Sequence, residues 1–96
     1  MQKSSFEWDE EKNLINQKEH GVSFEEAQYA FLDTHRIIAH DEKHSVHEER
    51  WFCIGKVEGR ILTVRFTYRH HCIRIIGAGC WRKWSKYYEQ ESPFNR

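Results

Sequence analysis

The stretch Ile61-Leu62-Thr63-Val64-Arg65-Phe66-Thr67 decides the fold class, because apolar and polar residues alternate along it. Successive side chains of a β-strand point to opposite faces of the sheet. The alternation therefore predicts a strand with an apolar face of Leu62, Val64 and Phe66. The stretch from Cys72 to Gly77 repeats the pattern, with Ile73 and Ile75 on one face and Arg74 on the other.

Two further strands and two tight turns complete the expected sheet. Arg36 to His40 and Trp51 to Lys56 are rich in β-forming residues. Val57-Glu58-Gly59-Arg60 is typical of a hairpin turn, and His70-His71 lies at the tip of a second turn. The expected sheet is mostly antiparallel and four-stranded, with Ser5 to Trp8 as a further candidate for a short strand.

Helix-capping signals flank the segment before the sheet. Asp9 is a good N-cap for a helix that runs to His20 and stops at Gly21. Ser23 and Glu26 have the spacing of a capping box, which begins a second helix that ends near Leu32. These two helices form an N-terminal helical hairpin.

Aromatic spacing predicts one more helix, at the C-terminal end of the chain. Trp81, Trp84 and Tyr88 fall at positions i, i+3 and i+7. Such a stripe is more often core than a base-stacking surface. We therefore expect a two-layer α+β fold, with residues 1–96 as a single domain and residues 91–96 as a frayed tail.

Composition narrows the functional class. The chain has 96 residues, of which 39% are hydrophobic, so we expect an ordered globular domain. Neither a membrane-spanning run nor a signal peptide is visible. The three cysteines lack CxxC spacing, which favours a reducing, cytoplasmic compartment over a disulfide scaffold.

Charge is divided unevenly along the chain, although its formal net charge is zero. Residues 1–49 hold five Lys or Arg and twelve Asp or Glu, a balance of −7. Residues 50–96 hold ten Lys or Arg and three Asp or Glu, a balance of +7. Either the basic half contacts phosphate or an acidic partner, or the two halves attract each other within the fold.

Basic residues lie on the sheet face opposite the apolar one. Arg65, Thr67 and Arg74 share that face, and Arg69 lies just beyond it in the turn. Guanidinium groups match phosphate oxygens two at a time, so this face is a candidate phosphate site. The alternative is a sheet face that is merely solvated.

Histidines offer two further hypotheses. His40, His44 and His47 lie close to Asp41, but the loop lacks the ligand spacing of known zinc motifs, so we expect a solvated loop and no metal site. His20 and Lys18 end the first helix. His20 is either a helix cap or a proton-transfer group.

Glycine and serine patterns exclude other chemistry. Gly77-Ala78-Gly79 lacks the spacing of a nucleotide-binding loop, so no cofactor is expected. No GxSxG or SxxK pattern is present that would support covalent hydrolysis.

Short motifs spread from Phe6 to Glu89 are similar in order and spacing to those of the BrnT family of toxins. They are Phe6-Glu7-Trp8-Asp9 followed by Lys12-Asn13, Lys18-Glu19-His20-Gly21-Val22-Ser23-Phe24-Glu25-Glu26-Ala27, Phe31-Leu32-Asp33, His44-Ser45 leading to Glu49-Arg50, Ile54-Gly55, Thr67-Tyr68-Arg69 and Ile73-Arg74-Ile75-Ile76. No single piece is specific, but the ordered set is.

The resemblance implies a RelE-like α+β fold and RNA cleavage without a metal. It also implies neutralisation by a DNA-binding, ribbon–helix–helix-like BrnA antitoxin, with which the toxin represses its own operon. A toxin dimer within that complex is expected from the family, and operator DNA is contacted only through the antitoxin.

A metal-free RNA cleavage mechanism would assign roles to the basic residues. Arg69 and Arg74 are the first choice for stabilising the phosphorane, and Thr67 would orient an oxygen. Lys18 or His20 would carry the proton. Positioning of the RNA backbone would fall to Arg50 and Arg65.

One departure from the family pattern concerns the last strand. The commonest form has a serine where this chain has Gly77 and an arginine where it has Gly79. A phosphate contact is then either missing or moved to Arg82 or Lys83. The main alternative function is a non-catalytic module that binds the antitoxin or nucleic acid without cutting it.

Overall fold

The computed structural model describes residues 5–91. In chain order the strands and helices are β1 (Ser5–Glu7), α1 (Glu10–His20), α2 (Phe24–Ala27), β2 (Ile37–His40), β3 (Trp51–Val57), β4 (Arg60–Arg69), β5 (Cys72–Gly79) and α3 (Arg82–Glu91). A 3₁₀ helix, Gln28–Leu32, continues α2, and another, Glu42–His44, follows β2. Residues 92–96 of the expected tail lie outside the described residues.

Both predicted ends of the first helix and the predicted start of the second are confirmed. Asp9 caps α1 by accepting hydrogen bonds from the Glu11 and Lys12 amides, and Gly21 ends it in the left-handed conformation (φ 68°). The capping box of Ser23 and Glu26 is present in full. The second helix is shorter than expected, because only Phe24–Ala27 is α-helical and the rest is 3₁₀.

The sheet has five strands in the order β1-β5-β4-β3-β2. The expectation of four strands is wrong, since Ser5–Glu7 pairs in parallel with β5 through Ser5↔Cys72 and Glu7↔Arg74. All other pairs are antiparallel. The two predicted hairpin turns are confirmed, at Glu58-Gly59 and at His70-His71, each with two residues at positive φ.

One face of the sheet carries the main core. Leu62, Val64 and Phe66 are fully buried there, against Phe24 and Ala27 of α2. The N-terminal helices therefore cover the face that the alternation predicts. None of the helices within residues 5–91 is long and apolar enough to cross a membrane.

The opposite face is partly covered by α3, which adds a third layer that the two-layer expectation lacked. Phe52 pairs across the sheet with Arg65 and so shares its face. The Phe52 ring contacts Trp84 of α3, with ring centroids 5.0 Å apart. Tyr88, one turn further on, is buried and donates a hydrogen bond of 2.5 Å to Asp33. This bond fixes α3 against the sheet.

Candidate active-site groove

A groove of about 510 Å³ runs between α3, the end of α1 and the sheet face that carries Arg65. We call it the sheet groove, and its lining includes His20, Phe52, Arg65, Gly77, Trp81 and Trp84. It therefore combines a histidine, an arginine and three aromatic side chains. Its volume is in the range of small-ligand sites.

His20 reaches the sheet groove because α1 lies along the edge of β5. The strand β1 pairs with β5 only as far as Arg74, so Ala78 has no strand neighbour on that side within the described residues. The Asn16 side chain replaces one, since it donates to the Ala78 carbonyl (2.9 Å) and accepts from the Ala78 amide (3.2 Å). His20 follows one helical turn later on the same side of α1.

The ring of His20 contacts Trp81 in the sheet groove, with centroids 5.3 Å apart. His20 is exposed, so its side chain is accessible to solvent. The other proton carrier proposed from the sequence, Lys18, is also exposed but does not line the groove as described over residues 5–91. Of the two, only His20 lines the groove together with Arg65.

Arg65 is held in place from two sides. Its guanidinium carbon lies 5.7 Å from the centroid of the Phe52 ring, and its Nε lies 3.6 Å from Oδ2 of Asp41. Asp41 is only 4% exposed and also contacts Nδ1 of His44 at 3.0 Å. The Nε atom is buried and has no hydrogen-bond partner within residues 5–91, so a phosphate in the groove would bind the Nη groups of Arg65, whose side chain is 39% exposed.

The first turn of α3 adds positive charge beside the sheet groove. Arg82 and Lys83 are both exposed there, and Lys83 Nζ lies 5.1 Å from the centroid of the Trp84 ring. The first turn contains no acidic residue. The charges of Arg82 and Lys83 add to the partial positive charge at the N-terminus of α3. This end of the helix therefore favours an anion.

Arg74 and Thr67 lie on the same sheet face as Arg65, as predicted, but both are engaged within the protein. Arg74 donates to Oε2 of Glu7 at 3.1 Å. Thr67 is buried, and its hydroxyl donates to the Glu49 carbonyl at 2.6 Å. Neither residue lines the sheet groove as described, so neither is placed to contact a phosphate bound there by Arg65.

Arg69 and Arg50 lie near Glu48, beyond the end of the sheet groove. Arg69 donates from Nε and Nη2 to the Glu48 carboxylate at 3.0–3.2 Å. Arg50 contacts the same carboxylate at 3.5 Å. The hydrogen bonds from Arg69 are the main reason why the pKa of Glu48 lies below its ordinary value. The two arginines thus share one glutamate as counterion.

The histidines His40 and His44 of the histidine-rich loop contact residues that are close in sequence. His44 contacts Asp41, and His40 contacts both Glu49 and the ring of Trp51. Within residues 5–91, no group of three or more His, Cys, Asp or Glu side chains is arranged to hold a metal ion. Metal binding by the loop therefore finds no support in the geometry.

Sequence pattern does not assign four residues to the site. The polarity of Asn16 and Asp41 is typical of surface residues, although each is less than 10% exposed. Phe52 and Thr63 belong to predicted strands, and both line the sheet groove. The alternation along β4 does place Thr63 on the face of Arg65.

A protein-family model described as the ribonuclease toxin, BrnT, of type II toxin-antitoxin systems matches residues 8–86. The chain belongs to the BrnT family. No curated protein matches it. The match includes every residue that lines the sheet groove, so the groove of this BrnT chain lies within the region that defines the family.

Membership of the BrnT family identifies the chain as a ribonuclease toxin of a type II toxin–antitoxin system. An antitoxin partner follows from that class. Gly77 lines the sheet groove, and Gly79 lies against Trp81, which also lines it. A Cβ at Gly77 would meet nothing closer than 3.9 Å, whereas a Cβ at Gly79 would lie 2.5 Å from the Trp81 ring.

Proposed function

We propose that this BrnT chain is an endoribonuclease that cuts RNA in the sheet groove with its own side chains and without a metal. The observation that carries the proposal is that His20 and Arg65 line the same groove. Cleavage of this kind requires a proton acceptor and a positive group at one phosphate. His20 supplies the first and Arg65 the second.

The chemistry is an internal transfer within the RNA. A base removes the proton of a ribose 2′-hydroxyl, whose oxygen attacks the adjacent phosphorus. The bond to the 5′-oxygen then breaks, and that oxygen takes up a proton. In this proposal His20 moves the proton, and the Arg65 guanidinium stabilises the negative charge of the phosphorane.

The other basic residues bind the RNA backbone in the proposal. Arg82 and Lys83 lie where the helix dipole of α3 favours phosphate. Arg69 and Arg74 bind successive phosphates once these displace Glu48 and Glu7, and Arg50 assists beside Glu48. Lys18 remains the alternative base, and Thr67 acts only indirectly, by donating its hydroxyl to the carbonyl of Glu49, the residue before Arg50.

Single substitutions test the active site. His20→Ala and Arg65→Ala should each reduce RNA cleavage by roughly 10²–10⁴-fold, the usual contribution of an acid–base or oxyanion-stabilising group. His47→Ala and Arg60→Ala are matched controls, because both residues lie away from the groove. Equal loss in the controls, or no loss in the test variants, would contradict the assignment.

Two additional measurements separate the alternatives. Cleavage should persist when EDTA is present, and its loss would overturn the metal-free mechanism. A non-catalytic module would bind labelled RNA with the same dependence on Arg69 and Arg74 but leave it intact. The ion pairs of these arginines with glutamates are the observation that favours this second candidate.

The cellular part of the proposal follows the family. We expect this single RelE-like domain to act in the cytoplasm, where cutting RNA arrests growth. A ribbon–helix–helix-like BrnA antitoxin neutralises it, and a complex that contains a toxin dimer represses the operon by binding operator DNA through the antitoxin. Expression of the chain alone should stop growth, and co-expression of the adjacent antitoxin gene should restore it.

A further inference from the structure

We propose that the sheet groove contains a stacking subsite for one unpaired nucleobase of the RNA, formed by Trp81, Trp84 and Phe52. The inference rests on the proposed function, since it places the base beside the phosphate that Arg65 would hold. It goes beyond that function because it assigns a separate binding role to the aromatic side chains.

Trp81 can lie close to the strand because Gly79 has no side chain. Its ring lies against Gly79 so closely that a Cβ there would be 2.5 Å from Cη2. The ring contacts His20 on one side, yet Trp81 remains 42% exposed. A large indole in that position is not serving as core, because nothing in the described residues covers it fully. It is accessible to a ligand in the groove.

Trp84 and Phe52 form the opposite wall. Their rings are tilted by 38° with centroids 5.0 Å apart, and both line the sheet groove. Lys83 lies over the Trp84 ring at 5.1 Å. Aromatic side chains interleaved with cations are the arrangement that proteins use for single-stranded nucleic acid, because bases stack on the rings while cations follow the backbone.

The position of Arg65 beside the aromatic rings places the phosphate and the base in the same groove. Arg65 lies across the strand pair from Phe52, and its guanidinium carbon is 5.7 Å from the centre of that ring. The Phe52 ring in turn lies 5.0 Å from the Trp84 ring, so a phosphate on the exposed side of Arg65 is close enough for its own nucleotide to place a base on Trp84. A base can enter this space only when it is unpaired, so the subsite selects single-stranded RNA.

The subsite contains little that would distinguish one base from another. The Thr63 hydroxyl lies at its floor but is covered, and Arg65 is committed to the phosphate. Stacking alone is tolerant of sequence, because every base has a π-face. We therefore expect the four bases to bind with similar affinity.

The test uses the full chain and short 2′-O-methyl RNA, which it cannot cleave. Binding is followed by quenching of tryptophan fluorescence. Because the subsite tolerates every base, the oligonucleotide can bind in any register, so the comparison uses an oligonucleotide that is abasic at every position. It should bind on the order of tenfold more weakly than the intact oligonucleotide of the same length. Equal binding of the two would overturn the subsite.

Two sets of variants locate the effect. Trp84→Leu and Trp81→Leu should each abolish the difference between intact and abasic oligonucleotides, whereas Tyr29→Leu, at an exposed aromatic residue outside the groove, should preserve it. Gly79→Ala should displace Trp81 and reduce binding, with a shift of tryptophan emission. Gly77→Ala, which has space for a Cβ, should leave the emission unchanged.

The outcomes separate this inference from the proposed function. If the chain stacks a base but never cuts RNA, the subsite stands and the ribonuclease mechanism fails. If Trp81→Leu and Trp84→Leu bind abasic and intact RNA as differently as the parent does while His20→Ala stops cleavage, the subsite is wrong and the mechanism stands.

Discussion

Asn16 binds Ala78 in both directions, as a neighbouring strand would, and this contact joins the first helix to the last strand. Its Nδ2 also donates to the Val22 carbonyl at 2.8 Å. Asn16→Ala should therefore lower the free energy of unfolding by about 3 kcal/mol, because it leaves three buried backbone groups without partners. Urea denaturation measures this change.

Loss of Asn16 should also reduce cleavage, because His20 no longer has a fixed position. Gln17→Ala is the matched control, since Gln17 is the next residue on α1 and is exposed. An Asn16→Ala variant as stable as the control would show that the contact with Ala78 contributes nothing.

The pair of Asp33 and Tyr88 should make stability depend on pH in two windows. Burial alone would raise the pKa of Asp33, but hydrogen bonds from the Tyr88 hydroxyl and from the Lys56 and His35 amides outweigh it, so this pKa lies below its ordinary value of 3.8. Burial and the bond to Asp33 raise the pKa of Tyr88 from 10.0 to about 12.

The signs of the two effects follow from linkage. Asp33 binds a proton more readily in the unfolded chain, so its contribution is present above pH 3.8 and is lost as the pH falls through its folded pKa. Tyr88 loses its proton first in the unfolded chain, so its contribution is present below pH 10 and is lost as the pH rises toward 12. Tyr88→Phe should flatten both slopes, whereas Tyr87→Phe should leave them unchanged in urea titrations.

Thr63 and Thr67 provide a matched test of buried hydroxyl groups. Each is 2% exposed, and both lie on β4 on the same face. Thr67 donates to Glu49, but the Thr63 hydroxyl has no partner in the described residues. Thr67→Val should cost about 1–2 kcal/mol of unfolding free energy. Thr63→Val should cost nothing, or stabilise the chain by about 1 kcal/mol, since it removes an unpaired polar group. Equal losses by thermal denaturation would contradict this assignment.

Glu48 should restrain RNA binding because it occupies Arg69. Glu48→Gln removes its charge, so phosphate no longer competes with a carboxylate. RNA affinity should rise on the order of threefold, as expected for an exposed ion pair worth a few tenths of a kcal/mol to 1 kcal/mol. Filter binding at fixed salt measures this change. Glu42→Gln, which removes the same charge from the same loop, is the control, and an equal rise in that variant would point to net charge alone.

Local sequence signals account for much of the fold. Asp9, Gly21 and the Ser23–Glu26 box mark the helix ends correctly, because capping depends on residues close in sequence. The alternation in β4 identifies the core face for the same reason. In contrast, the pairing of Ser5–Glu7 with β5 depends on residues far along the chain, and three residues carry too little pattern to specify it.

The candidate site was less predictable for a related reason. The arginine-rich face follows from period-two alternation, but its counterions Glu7, Glu48 and Asp41 come from other segments. On α1 the polarity of a residue does not predict its burial, since Asn16 is buried while Leu14 is 60% exposed. A buried polar group with a distant backbone partner cannot be distinguished from a surface residue by local pattern.

The parallel pairing of the first strand with the last has a consequence for folding. Ser5 pairs with Cys72, and Asn16 binds Ala78, so the two ends of the described range fold together. Such long-range contacts form slowly. A variant truncated before β5 has neither the strand edge against which His20 is placed nor the helix that carries Trp84. The sheet groove therefore cannot be assembled from either half of the chain alone.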